Sequence, residues 1–367
     1  MERQILNVGI IGLGEVAQVI HLPVLEALPD QYRIAALCDV SPGLLAAMGE
    51  KYRIERLYAD AFELVKQPDL DVVFVLNSDE YHSECAIAAA NQGKHVLIEK
   101  PMCLTFAEAD AILEAQARHG VKIMVGYMRR YAASFVEAVR EIGGLGNVHY
   151  ARVRDIIGPN AFFIKPTSRV VSFDDIPEDR KADRRHRALK LVREATGLEP
   201  DSPYFGLYRL LAGLSSHDLS AMREAIGMPV GVVGAKYTET NGYPFLSAIF
   251  DYGRFSVVFE TGIDGQGRFE AHIEVYATHK SVKVQYDTPY IRHLPTKLII
   301  HETEGERYKE SVIRPTFTDP YTLELTSFYD DITRDLAPKT TAADFKQDLT
   351  LFKMIIDALK PRAGSEG

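Results

Sequence analysis

The chain has 367 residues, 46% hydrophobic and 25% charged, with a formal charge of −9. That length exceeds one ordinary core and predicts two domains, and the composition excludes a fibrous or disordered chain. The negative balance leaves no surplus of lysine and arginine to neutralise phosphates, so no nucleic-acid partner is expected.

Cys38, Cys85 and Cys103 are scattered, without C-x-x-C spacing, which suits a reducing cytosol. The opening MERQILNVGIIGLGEVAQ reads as a first strand and a glycine turn, not as a signal peptide. No apolar run nears the roughly 20 residues of a membrane span. A cytoplasmic protein without membrane contact is expected.

In chain order, ILNVGII (5–11) is a strand buried on both faces, and GLGEVAQVIHLPVLEAL is a glycine turn opening into a helix. RIAALCDV (33–40) is a second strand, and SPGLLAAMGEKYRI starts a helix at a Ser-Pro pair. DVVFVLN (71–77), HVLIE (95–99) and KIMVGY (122–127) are further strands separated by the helices ECAIAAANQGK and AEADAILEAQARHG. This alternation predicts parallel βαβ units.

After about residue 126 the pattern changes. GNVHYARVRDI is a strand, and 160–205 is a long charge-dense connection with a helix over PEDRKADRRHRALKLVREATG. From 230 onward come long alternating strands, with DYGR, DGQGR and EGER read as three hairpin turns. AADFKQDLTLFKMIIDALK (342–360) carries an apolar stripe and docks on a core. The fold expected is α/β: a doubly wound parallel Rossmann sheet over 1–126, then an α+β domain with a large, mostly antiparallel open sheet over 127–367.

Gly12-Leu13-Gly14-Glu15-Val16-Ala17 is G-x-G-x-x-A between a strand and a helix. Gly12 permits the tight turn, Gly14 lets backbone N–H groups approach a pyrophosphate, and the helix start favours its charge. Asp39 ends the second strand, where it accepts hydrogen bonds from ribose hydroxyls and repels a 2′-phosphate, so NAD is expected over NADP. Lys100 ends a strand ahead of Pro101, which biases it to extended backbone. A strand end of an open α/β sheet faces the ligand crevice; a solvated surface lysine is the alternative.

The stretches IGLGEVAQ, SDEYHSECAIAAANQGKHVLIEKPMCLTFAEADAI, VGYMRRY and GLGNVHYARV resemble the glucose-fructose oxidoreductase / inositol dehydrogenase / MocA (Gfo/Idh/MocA) family. The resemblance implies that Lys100 of Glu-Lys-Pro assists proton transfer and touches both the nicotinamide ribose and the substrate. It places Glu99 beside the cofactor and Asn77, Ser78 and His82 in the cofactor-contacting loop. NSDEYH keeps the histidine of the usual T-P-N-x-x-H but lacks its proline. Met128 and Arg129 match positions lining the substrate pocket, with Tyr131 close by.

In LLAGLSSHDLSAMREAIGMP, Ser216 reads as an N-cap and His217 as the start of a helix, whose positive field would keep the imidazole neutral. The segment resembles the family's D-x-x-x-H motif, implying that His217 removes the substrate hydroxyl proton. The aspartate position holds Gly213; Asp218 and Asp155 are candidates to replace it, neither of them at the matching position. No histidine pair has metal-ligand spacing, so no metal is expected.

The resemblance thus implies an NAD-dependent dehydrogenase acting on a secondary hydroxyl of a sugar, glycoside or cyclitol. The alternatives are an oxidation-elimination enzyme without net redox and a dinucleotide-sensing binding protein. A homo-oligomer, dimer or tetramer, is expected through the exposed face of the second sheet.

Overall fold

A computed structural model of the chain describes residues 4–360. They form two compact units. The first comprises the chain up to Tyr127 with Thr167–Pro200 and Tyr321–Leu349; the second comprises Met128–Pro166, Asp201–Pro320 and the residues from Thr350. A boundary drawn at 126/127 from the change of pattern places both returning segments in the second domain.

In the first unit, β1 (Leu6–Ile11), β2 (Tyr32–Cys38), β3 (Leu57–Tyr58), β4 (Val72–Val75), β5 (His95–Glu99) and β6 (Ile123–Gly126) make a parallel sheet in the order β3-β2-β1-β4-β5-β6. The order reverses between β1 and β4, which opens a ligand crevice beyond the carboxyl ends of the strands. All of β4 and Val96–Ile98 are buried, as parallel strands covered on both faces must be.

Local chemistry sets the helix ends. Ser41 caps Pro42–Tyr52 by accepting from Leu44 N at 3.1 Å, and Thr105 with Glu108 forms a capping box ahead of Phe106–His119, which Gly120 ends at φ 64°. The helix after the glycine turn widens into a π-helical turn at Ala17–His21, with Leu22 N–H reaching back to Ala17 O. Pro23 explains the widening: it has no N–H, and its ring would press on a carbonyl of the preceding turn.

The second unit carries β7 (Val148–Ile157), β8 (Gly231–Thr240), β9 (Tyr243–Asp251), β10 (Ser256–Ile263), β11 (Phe269–Ala277), β12 (Lys280–Tyr286), β13 (Lys297–Glu304) and β14 (Arg307–Ile313). Their order is β14-β13-β12-β11-β7-β10-β9-β8, antiparallel except for the β7–β10 pair. DYGR and EGER are hairpin turns as expected, but DGQGR is not. β7 lies between β10 and β11, parallel to the first and antiparallel to the second. The 264–268 loop therefore crosses the end of β7, and a Cβ on Gly158 would lie 1.5 Å from Gln266 O. Glycine is required for that crossing.

One face of this sheet packs on the helices Ala133–Gly143 and Ser216–Ile226 through Val153, Phe259, Ile273 and Val284. The other is a charged ladder. Arg152 and Arg154 donate to Glu260 at 2.6 and 3.0 Å, and Arg154 to Glu270 at 2.5 Å. Burial opposes ionisation of Glu260, but its two arginines outweigh that and hold its carboxyl at about 2. A carboxyl lowered on folding stabilises the fold above its unfolded-state value, and that contribution is lost as the pH falls towards the folded value. Glu260→Gln is therefore expected to melt below the parent at pH 7, the gap closing between about pH 4.5 and 2. Equal melting points at pH 7 would refute the ladder as a stabilising feature.

No helix among the described residues is long and apolar enough to cross a membrane. In the last helix, Ala342–Leu359, the stripe residues Phe345, Leu349, Phe352, Ile355 and Ile356 are buried.

Candidate active site

Gly12 sits at φ 93°, and a Cβ there would lie 2.4 Å from Asn77 N. It must be glycine, both for its left-handed backbone and for the close pass of the β4 loop. A Cβ on Gly14 would meet nothing within 4 Å, and Gly14 and Glu15 are exposed, so an anion has room to reach the helix start. Asp39 accepts from Leu13 N and Ser41 N, both at 2.8 Å. Burial raises its carboxyl above the ordinary range against these two amides, and Asp175 adds to the rise. Each Asp39 oxygen holds one amide and keeps lone-pair capacity for a ribose hydroxyl. The residues present fit a dinucleotide.

His82 is buried and bridges two loops: Nδ1 lies 2.8 Å from Pro101 O and Nε2 2.9 Å from Asn77 O. It braces the loop of Asn77 and Ser78 against the turn after Lys100 and spends both ring nitrogens doing so.

Lys100 leaves β5 at the carboxyl edge of the sheet, and the Lys100–Pro101 peptide is cis. Glu99 turns inward. Its Oε1 lies 2.7 Å from His21 Nε2, and its Oε2 accepts the Lys100 N–H at 3.1 Å. Burial alone would raise this carboxyl, but the hydrogen bond and charge of His21, with Lys100, hold it below the ordinary range. His21 is fully buried, its ring edge-on to Phe74 and Tyr321 at 5.9 Å from each. No role for His21 was legible in the sequence; the available signal is a histidine on the apolar face of VAQVIHLPVL. His21→Leu leaves the Glu99 carboxylate buried without that partner and is expected to cost roughly 2 kcal/mol in the first unit. Denaturant unfolding that matches the parent would remove His21 from this role.

In the second unit, Met128, Arg129 and Tyr131 form a buried 3-10 turn. Arg129 donates to Asp218 through Nη1 and to Asp155 through Nη2, the latter at 3.3 Å, with its guanidinium 5.5 and 5.1 Å from the rings of Phe269 and Tyr286. Asp155 and Asp218 are fully buried. Burial pushes the Asp218 carboxyl well up in spite of Arg129, and the neighbouring Asp155 adds to the rise, so two acids share one base.

His217 is 7% exposed. It does not start a helix, and Ser216 is not an N-cap. The helix begins at Phe205, widens into a π-helical turn at Leu211–Ser215 and continues through Ser216–Ile226. The positive field of a helix start is therefore absent at His217. SerSer after LAGL mimics a cap, but the chain upstream is already helical. The π turn contains Gly213, which is exposed, with open space where a Cβ would point. Such turns recur at functional sites.

Residues 6–127 match the model of a family described as an oxidoreductase family with an NAD-binding Rossmann fold, GFO_IDH_MocA. Residues 6–127 are a Gfo/Idh/MocA NAD-binding domain. Over 165 residues the chain is 36% identical to myo-inositol 2-dehydrogenase of Thermotoga maritima, covering 44% of this chain and 48% of that protein. It is 34% identical over 134 residues to inositol 2-dehydrogenase of Salmonella typhimurium, covering 36% of this chain and 40% of the relative. These alignments thus span less than half the length of either relative. The oxidoreductase YrbE of Bacillus subtilis is 28% identical over 327 residues, 85% of this chain and 84% of its own. A structure of levoglucosan dehydrogenase in complex with NADH superposes with a TM-score of 0.73 at 18% identity, covering 97% of both chains. The fold of the whole chain, including the second sheet, is therefore a known one.

Proposed function

We propose that this chain is an NAD-dependent dehydrogenase that oxidises a secondary hydroxyl of a cyclitol, sugar or glycoside, with Lys100 and His217 handling the hydroxyl proton. The observation that carries the reading is Lys100 at the carboxyl edge of an NAD-binding sheet, its neighbour Glu99 committed inward to His21. Bound NAD supplies the hydride acceptor. The Lys100 ammonium hydrogen-bonds the substrate oxygen and favours its alkoxide, and the His217 imidazole takes the proton. The Arg129–Asp155–Asp218 cluster holds the helix turn that carries His217, while Met128 and Tyr131 line the substrate side.

The substrate class draws on the two aligned inositol dehydrogenases and on the levoglucosan enzyme. Incubation with NAD and a panel of inositols, aldoses and anhydrosugars, followed by NADH absorbance, is the test. NADH formation with at least one polyol is expected; none, from protein that binds NAD, would reject the reading. A cytoplasmic homo-oligomer, dimer or tetramer, contacting through the charged face of the second sheet, completes the proposal, and light scattering checks its mass.

Gly213 favours a second reading. It stands where the resemblance places an acid, with open space beside it. Oxidation followed by elimination and re-reduction would use the same Lys100 and His217. Glycoside cleavage without NADH accumulation, with solvent deuterium incorporated beside the oxidised carbon, selects that reading.

A further inference from the structure

The charge-dense segment Thr167–Pro200 packs with the first unit, and its contacts fall in sequence along one side of the ligand crevice. Val171 exchanges both of its main-chain groups with the Gln18 amide, each at 2.9 Å, and the same amide donates to Leu13 O in the glycine turn at 2.8 Å. Phe173 covers Gly43, where a Cβ would meet its ring at 2.8 Å. Asp175 accepts from Ser41 Oγ at 2.5 Å and from Gly43 N at 2.7 Å, gripping the turn just after Asp39. The helix Glu178–Thr196 then runs beside the loop after β4. Tyr81 donates to Asp183 at 2.8 Å, and Arg187 lies over the Tyr81 ring and donates to Glu84 at 2.8 Å.

These anchors enclose a cavity of about 610 Å³. One wall is the sheet edge, with Val40, Ala61 and Asn77; the other is the segment itself, with Ile176, Arg180 and Arg185. Its volume falls within the range of roughly 300–1,000 Å³ usual for small-molecule sites. Its position names the ligand class. A pyrophosphate at Gly12–Gly14 and a ribose at Asp39 direct the rest of the nucleotide towards β2 and β3, the side on which this cavity lies. Arg180 and Arg185 have no ion pair among the described residues, although Arg184 and Arg187 on the same helix pair with Glu80 and Glu84. A guanidinium plane stacks on aromatic faces, and adenine is one.

Resting on the NAD-binding reading above, we infer that residues 167–188 form a strap that closes the adenosine subsite, with Arg180 and Arg185 contacting the adenosine half of the bound dinucleotide. The grip of Asp175 on Ser41 and Gly43 is the latch that sets how fast the coenzyme leaves.

Stopped-flow fluorescence of NADH release, with equilibrium titrations of NADH and of AMP, tests this on the full chain. Arg180→Ala/Arg185→Ala is expected to weaken both NADH and AMP about tenfold, and Asp175→Ala to speed NADH release about tenfold. Thermal melting establishes that each variant is folded, and Asp175→Asn serves if Asp175→Ala is not. Release and affinities equal to the parent's in folded variants would overturn the strap while leaving NAD binding intact. A parent that binds neither NADH nor AMP would overturn the NAD reading as well.

Discussion

Lys100→Met is expected still to bind NADH and to lose roughly two to four orders of magnitude in kcat/KM with the best substrate of the panel. Methionine keeps an unbranched chain of similar length and removes the charge. Glu99, His21 and the strand that positions them are untouched, so the loss reports the ammonium and not the fold. Because a proton acceptor and the group that stabilises the alkoxide act as a unit, adding His217→Asn should cost much less in Lys100→Met than it does in the parent. A loss below tenfold in Lys100→Met, with NADH binding intact, would take the proton chemistry away from this residue.

Arg129→Met is the second large effect, and it falls on stability. The guanidinium lies between two fully buried carboxylates and against two rings. Burial opposes its charge, but Asp155 and Asp218 more than offset that and hold Arg129 above the ordinary arginine range. Removing the cation alone leaves two acids in a low-dielectric site, which is expected to cost roughly 3–5 kcal/mol. Neutralising the acids as well, in Arg129→Met with Asp155→Asn and Asp218→Asn, should recover most of that. Denaturant unfolding of the second unit reads both. If the triple variant is no more stable than the single one, the cluster is held by packing and not by charge compensation.

What was legible in the sequence is what is local. The glycine turn, Asp39 at the end of β2, and Lys100 at the end of β5 each follow from a short stretch whose residue types have few other uses. So do the helices that begin at Ser41 or end at Gly120 and Gly197. Features that depend on distant partners were not legible. DGQGR looks like any glycine turn between alternating strands, and nothing near it says that β7, from much earlier in the chain, intervenes. Asn241-Gly242, the turn between β8 and β9, has both residues at positive φ, 54° and 78°. It is a strong local hairpin signal that the sequence reading passed over.

The candidate site divides the same way. Lys100 and His217 were picked out by motif, but the sequence did not disclose that Glu99 is tied to His21 or that Asp218 and Asp155 share Arg129. His217 also shows a limit of capping rules. Ser215 and Ser216 carry the right side chains for a helix start, yet a helix already in progress from Phe205 overrides them through a π turn. The 167–188 segment is the largest omission. Its charges read as an ordinary solvated helix, and only the fold shows Asp175 and Phe173 seated on the turn after β2.

The most direct measurement is a crystal structure with NADH and the alcohol that the panel identifies. The proposed chemistry predicts Lys100 Nζ and a ring nitrogen of His217 each within about 3 Å of one hydroxyl oxygen, with that carbon facing the nicotinamide. A substrate oxygen that neither nitrogen reaches, or a hydroxyl served by a different side chain, would contradict it.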